Sequence, residues 1–154
     1  MTTPETVPLC DIQTQYRGLK SEIDAAVLRV LESGQAILGP EVAAFEKEAA
    51  AFCGAEHAIG CGSGTDDLVL ALHALGIGPG DEVIVPPFTF FSTVSSVCRV
   101  GATPVFADID PHTFNIDPAE IADKIIPRTR AIIPVHLYGQ CCHMHKIAPI
   151  ADAH

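Results

Sequence analysis

The sequence predicts an α/β fold: a mostly parallel sheet with helices on both of its faces. Short, mostly apolar runs such as Glu82–Val85 and Pro104–Ala107 alternate with stretches of helical periodicity. A strand that is apolar at nearly every position suits a parallel sheet covered on both sides. The Gly-, Pro- and Asp-rich punctuation also falls repeatedly just after these runs, at the carboxyl strand ends where α/β sheets hold their ligands.

Taken in order, Leu19, Ile23, Ala26, Val27, Val30 and Leu31 recur at helical spacing, so Gln15–Glu32 reads as an amphipathic helix stopped by Ser33-Gly34. Pro40 suits the first turn of a second helix lined by Val42, Phe45, Ala49 and Phe52 and closed by Gly54. These two helices form an expected N-terminal segment, residues 1–54. The α/β part is expected over 55–154. It begins with a strand at His57–Gly60, a helix at Thr65–Leu75 and a strand at Glu82–Val85. Pro86-Pro87 breaks the chain before a helix from about Phe91 to Val100, with Gly101 at its end. Pro104–Ala107 is the third strand. Asp117-Pro118-Ala119-Glu120 supplies an N-cap, a first-turn proline and an acidic cap for a helix reaching about Ile126. Ala131–Val135 is the fourth strand, and His143–His154 starts another helix. That helix stands where a fifth strand would follow, so the α/β domain is expected to be truncated.

Nine basic against nineteen acidic residues give a net charge of −10, the wrong sign for wrapping nucleic acid. Met1 to Pro8 is polar and no apolar run approaches a membrane span, so neither a signal peptide nor a membrane partner is expected. The six cysteines form no C-x-x-C pair and read as reduced thiols in a cytoplasm.

The chemistry-bearing stretches are Gly60–Asp67, Pro86–Thr93, Asp108–Asp117 and His136–Gln140, four strand ends on one rim. In the first, glycines lead into a helix whose opening N–H groups have no intrahelical acceptor, which makes a phosphate-type anion site at the positive end of the dipole. The same run suits an ordinary tight turn capped by Ser63 or Thr65, and the local pattern leaves both readings open. Cys141-Cys142-His143-Met144-His145 invites a metal, but adjacent cysteines ligate one ion poorly. A helix start fits better, and no metal ligand is assigned. His136 reads as structural, and Asp108 and Asp110 as loop-ordering side chains.

Several segments, in order, resemble a known family. They are Val7-Pro8-Leu9, Ile37-Leu38-Gly39-Pro40-Glu41-Val42, Gly64-Thr65-Asp66, Pro79-Gly80-Asp81-Glu82-Val83-Ile84, Pro86-Pro87-Phe88-Thr89-Phe90, Gly101-Ala102-Thr103-Pro104-Val105-Phe106, Asp108-Ile109-Asp110 and Pro134-Val135-His136-Leu137-Tyr138-Gly139-Gln140. Together they look like the DegT/DnrJ/EryC1/StrS group of pyridoxal-phosphate sugar aminotransferases, over essentially the whole chain. The resemblance implies part of the large domain of a type I aminotransferase, working as a homodimer. It implies transfer of an amino group, typically from glutamate, to a nucleotide-linked keto-sugar.

Gly64, Thr65 and Asp66 match the turn that holds the cofactor phosphate, with Asp66 expected to serve through its backbone N–H while its side chain turns away or caps. Phe90 matches the aromatic residue that stacks on the pyridine ring. No catalytic residue is assigned. The pyridine-binding Asp and the Schiff-base Lys of the family find no match in this sequence, and Lys20, Lys47, Lys124 and Lys146 all fall in predicted helices away from the rim. The chain alone is therefore expected to be inactive. Two alternatives accompany this reading: a sugar dehydratase of the same family, and a non-catalytic remnant that binds phosphate or pairs with a homologue.

Overall fold

The computed structural model describes residues 7–154. The polar stretch Met1 to Pro8, expected to carry no signal peptide, therefore lies mostly outside the described residues. The chain divides after Gly60 into two compact units.

The first unit holds two helices, α1 (Ile12–Ser33) and α2 (Pro40–Cys53). Helix α1 begins three residues before the expected Gln15 because Asp11 caps it, accepting the Thr14 N–H at 3.0 Å. It ends as expected at Gly34, whose φ of 68° is the left-handed conformation that glycine adopts freely. Pro40 occupies the first turn of α2, and Gly54 ends it. No residue of α1 is buried, and Ala50 is the one buried residue of α2.

The second unit contains α3 (Gly64–Ala74), β1 (Glu82–Val85), α4 (Phe91–Arg99), β2 (Thr103–Phe106), α5 (Pro118–Ala122), β3 (Thr129–Ile132), a 3-10 turn at Leu137–Gly139 and α6 (Met144–Asp152). The three strands form one parallel sheet in the order β2-β1-β3. Alternate residues of the central strand point to opposite faces. Val83 and Val85 pack with Leu72 of α3 and Val97 of α4. Ile84 packs on the other side with Ile121 of α5 and Ile147 of α6. Helices on both faces are thus what make all four residues of β1 buried. Pro104, which has no N–H to give, sits in β2 at the edge of the described sheet.

Three expectations are corrected. The expected strand His57–Gly60 is not formed: the Gly60 N–H donates to Glu46 Oε1 at 2.7 Å instead of to a neighbouring strand. The sheet consequently has three described strands and not four. The helix after Asp117 ends at Ala122 rather than near Ile126, because the residue before Pro127 is pushed out of the helical region and Thr129 Oγ1 takes the Ile126 N–H. The last strand lies at Thr129–Ile132 instead of Ala131–Val135, since Pro134 cannot donate to a ladder.

Candidate functional site

The first connection, β1 through α4 to β2, runs to one side of β1, and the chain then returns to place β3 on the other side. The strand order therefore reverses between β1 and β3, and a crevice opens beyond their carboxyl ends at such a switch point. A cleft of about 440 Å³ lies there, lined by Ser63, Gly64, Thr65, Leu68, Thr89, Phe90, Ser92, Thr93 and Val135. It brings together Gly64, Thr65 and Phe90 of the residues singled out from the sequence. Asp66 is not among the lining residues.

The cleft is floored by the first turns of two helices. In α3, the Ser63 hydroxyl accepts the Asp66 N–H at 3.2 Å and donates to Asp66 Oδ2 at 3.0 Å. The Asp66 N–H is thereby committed to a cap, so the backbone donor assigned to it is not the one presented to the cleft. Its carboxylate, as expected, turns to capping, and lies 3.8 Å from the Arg99 guanidinium. The N–H groups of Gly64 and Thr65 occupy the opening turn, with no helical carbonyl behind them. A Cβ built on Gly64 would meet nothing within 4 Å, and its φ lies outside the positive range. Neither packing nor backbone conformation demands glycine at this position, which leaves room for close approach by an outside group.

Helix α4 contributes Phe90 at its N-cap position, 77% exposed, so the ring lies at the surface of the cleft rather than in the core. Thr65 Oγ1 and Ser92 Oγ are 2.7 Å apart, and Thr89 Oγ1 and Thr93 Oγ1 2.8 Å. Ser92, Thr89 and Thr93 received no role from the sequence. The signal was there: hydroxyls at 89, 92, 93 and 96 recur at helical spacing and mark one face of α4. The lining includes no lysine and no carboxylate.

The neighbouring loops are fixed by groups that need no cofactor. Asp110 Oδ1 accepts the His112 N–H at 2.7 Å and the Thr113 N–H at 3.1 Å, and these bonds hold its carboxyl below the ordinary value of 3.8. Asp108 Oδ1 accepts the Ile109 N–H. His136 Nδ1 accepts the Cys142 N–H at 3.0 Å, the structural part expected of it. Asn115 is 3% exposed and passed unnoticed in the sequence. Its Nδ2 donates to the Gln140 carbonyl and its Oδ1 accepts the Leu137 N–H, both at 3.0 Å. This clamp grips both ends of the 3-10 turn and holds Tyr138 at a φ of 54°, a conformation side chains otherwise avoid. Burial raises the Cys142 thiol above its ordinary value, and its Sγ lies 3.0 Å from the Val135 carbonyl. No group of three or more metal-ligating side chains occurs among the described residues.

The first turns of two helices and an exposed aromatic ring thus meet at the switch point of an open parallel α/β sheet. The DegT/DnrJ/EryC1/StrS aminotransferase family matches residues 18–154, and the chain belongs to that family. It is 52% identical over 148 residues to a pleiotropic regulatory protein of Geobacillus stearothermophilus, covering 96% of this chain and 40% of that protein. It is 49% identical to a UDP-2-acetamido-2-deoxy-3-oxo-D-glucuronate aminotransferase of Pseudomonas aeruginosa, covering 95% of this chain and 41% of the relative. Among solved structures it is similar to DesV of Streptomyces venezuelae in complex with a ketimine intermediate, with a TM-score of 0.94, 48% identity, 96% of this chain and 40% of that one. It is similar also to NtdA of Bacillus subtilis with bound cofactor PMP, with a TM-score of 0.92, 36% identity, 99% of this chain and 35% of the other. The chain spans about 40% of the length of the curated relatives it matches.

Proposed function

We propose that this chain is the amino-terminal, cofactor-gripping part of a pyridoxal-phosphate-dependent aminotransferase. The enzyme transfers an amino group, with glutamate as donor, to a nucleotide-linked keto-sugar. The observation that carries this reading is the convergence of the α3 first turn, the α4 hydroxyls and the Phe90 ring on one cleft at the switch point. Relatives named as transaminases favour amino transfer over the dehydratase alternative.

When bound, the cofactor supplies an electron sink for carbanion chemistry. The chain's own residues bind and orient it. Gly64 and Thr65 offer N–H donors and a helix dipole to the phosphate, at a place where no side chain intrudes. Phe90 provides a flat apolar face that fixes the ring plane and excludes water from one side. Asp66, whose charge would oppose a phosphate, is occupied by Ser63 and Arg99. The proton-moving lysine and the pyridine-binding aspartate belong to residues other than those lining this cleft.

The exposed apolar residues of α1, among them Leu19, Val27, Leu28 and Leu31, support a homodimer. Six free cysteines suit a reducing cytoplasm. No described helix is long and apolar enough to cross a membrane.

The test compares pyridoxine 5′-phosphate with pyridoxine, neither of which has an aldehyde to react with surface lysines. The chain is expected to bind the phosphorylated compound at least about tenfold more tightly, as a charge-assisted phosphate site requires. Gly64→Val should erase that preference without lowering the melting temperature. Equal affinity for the two compounds would remove the reading. Mixed with pyridoxal phosphate, glutamate and a nucleotide keto-sugar, the chain by itself should form no amino sugar.

A further inference from the structure

The contact between Thr65 and Ser92 is the one side-chain hydrogen bond joining α3 to α4 among the described residues, and it lies in the wall of the cleft. Its two oxygens are 2.7 Å apart. A hydroxyl carries one proton and two acceptor positions, so a hydroxyl pair uses one proton between its members and leaves the other proton uncommitted. Ser92 is 8% exposed and Thr65 is the more accessible of the two. The helices do not need this bond to stay together, because Leu72, Val97 and Val100, with Val69 and Val94 beside them, already pack their interface. What the bond does fix is the direction of the Thr65 hydroxyl.

We propose that Ser92 is a positioning residue of the phosphate site. Its hydroxyl donates to Thr65 Oγ1, holds that side chain in one rotamer, and turns the Thr65 proton toward a phosphate oxygen bound at the first turn of α3. This rests on the cofactor-binding reading above. The Thr89–Thr93 pair does not serve in this way, because it joins two residues at the start of α4 and leaves α3 untouched. Ser92 lines the same cleft, and the double variant below separates action through Thr65 from direct contact with the ligand.

The test measures the phosphate preference of the 154-residue chain, as the ratio of its dissociation constants for pyridoxine and pyridoxine 5′-phosphate. Ser92→Ala is expected to lower the preference about fivefold to tenfold, the partial weakening of one charge-assisted hydrogen bond. Thr65→Val should lower it at least as much. The double variant should match Thr65→Val alone, because Ser92 acts only through Thr65.

Ser92→Thr and Ser92→Val share one shape and differ by the hydroxyl. The first should keep the preference within about twofold and the second should lose it, which separates positioning from packing even where Ser92→Ala unfolds. An unchanged preference in Ser92→Ala or Ser92→Val overturns the proposal, as do effects that multiply in the double variant. A parent chain without any phosphate preference removes both the cofactor reading and this one. A parent that has the preference and variants that keep it remove Ser92 alone.

Discussion

The helical unit before Gly60 and the α/β unit after it satisfy the same hydrophobic pattern in opposite ways. In the first, Leu19, Ile23, Val27 and Leu31 fall in register along α1, yet each remains more than a third exposed, and Ala50 of α2 is the one buried apolar residue described. In the second, four residues of β1 disappear between two helical layers, and Val83, Ile84 and Val85 show no exposed surface at all. Helical periodicity states which face of an element is apolar; it does not state where the covering surface comes from. In the α/β unit that surface is supplied by α3 and α4 on one side and α5 and α6 on the other. The apolar face of α1 is left open.

The sharpest way to break this comparison is one deletion in each region. Ile84→Ala should cost about 2–5 kcal/mol in urea unfolding, through lost burial and a cavity between the sheet and α5–α6. Leu28→Ala, at a residue 55% exposed, should stay within about 0.5 kcal/mol. Equal losses would mean that α1 is buried in solution, and the contrast between the units would fail.

The next effect in size tests whether the loops beyond the sheet are held as firmly as its core. Asn115→Leu removes the side-chain donor of the Gln140 carbonyl and leaves the Leu137 N–H with the Val135 carbonyl alone, and should cost about 1–3 kcal/mol. Limited proteolysis should then cut within 136–140, and resistance there equal to the parent chain would show that the clamp is dispensable.

Capping comes below that. Ser63→Ala removes the acceptor of the Asp66 N–H and should lower stability by about 1 kcal/mol, read as a drop in melting temperature. It also releases the Asp66 carboxylate, whose charge opposes a phosphate, so phosphate preference should fall. An unchanged preference would mean that Ser63 does not hold that charge away from the cleft.

The smallest effect is a titration. Asp110 has a folded-state carboxyl held below 3.8, first by its bond to the His112 N–H. A depressed carboxyl contributes stability that is fully present above the unfolded value and is lost as pH falls through the folded one. Asp110→Asn keeps an acceptor and abolishes the charge, so the acid limb of the stability profile, below about pH 4, should be shallower than in the parent chain. Identical acid limbs would show that these bonds do not survive in solution.

The cleft was legible in the sequence where its signals are local. Gly64 and Thr65 stand in the glycine-to-helix turn that suits an anion or an ordinary capped turn, and both line the cleft together with Phe90. Asp66 was legible in part: its side chain caps, but the same cap takes its N–H. The hydroxyl periodicity of α4 was present and unread, because Thr and Ser at helical spacing look like any polar face until one learns what lies opposite. Asn115 left no signal at all. Its partners are 22 and 25 residues away, and a lone Asn in a loop is ordinary.

What the sequence by itself determined is everything set within one or two turns of chain. The caps at Asp11, Ser63 and Asp117, the stops at Gly34, Gly54 and Gly101, and the apolar run of β1 all follow from bonds and torsions between near neighbours. The tertiary structure decided the rest. It denied strand pairing to His57–Gly60, because a strand exists only where another presents its ladder. It placed β3 beside β1 and so opened the crevice. It also brought Thr65 to Ser92 across 27 residues, since such meetings depend on how whole elements pack, and no local pattern encodes that.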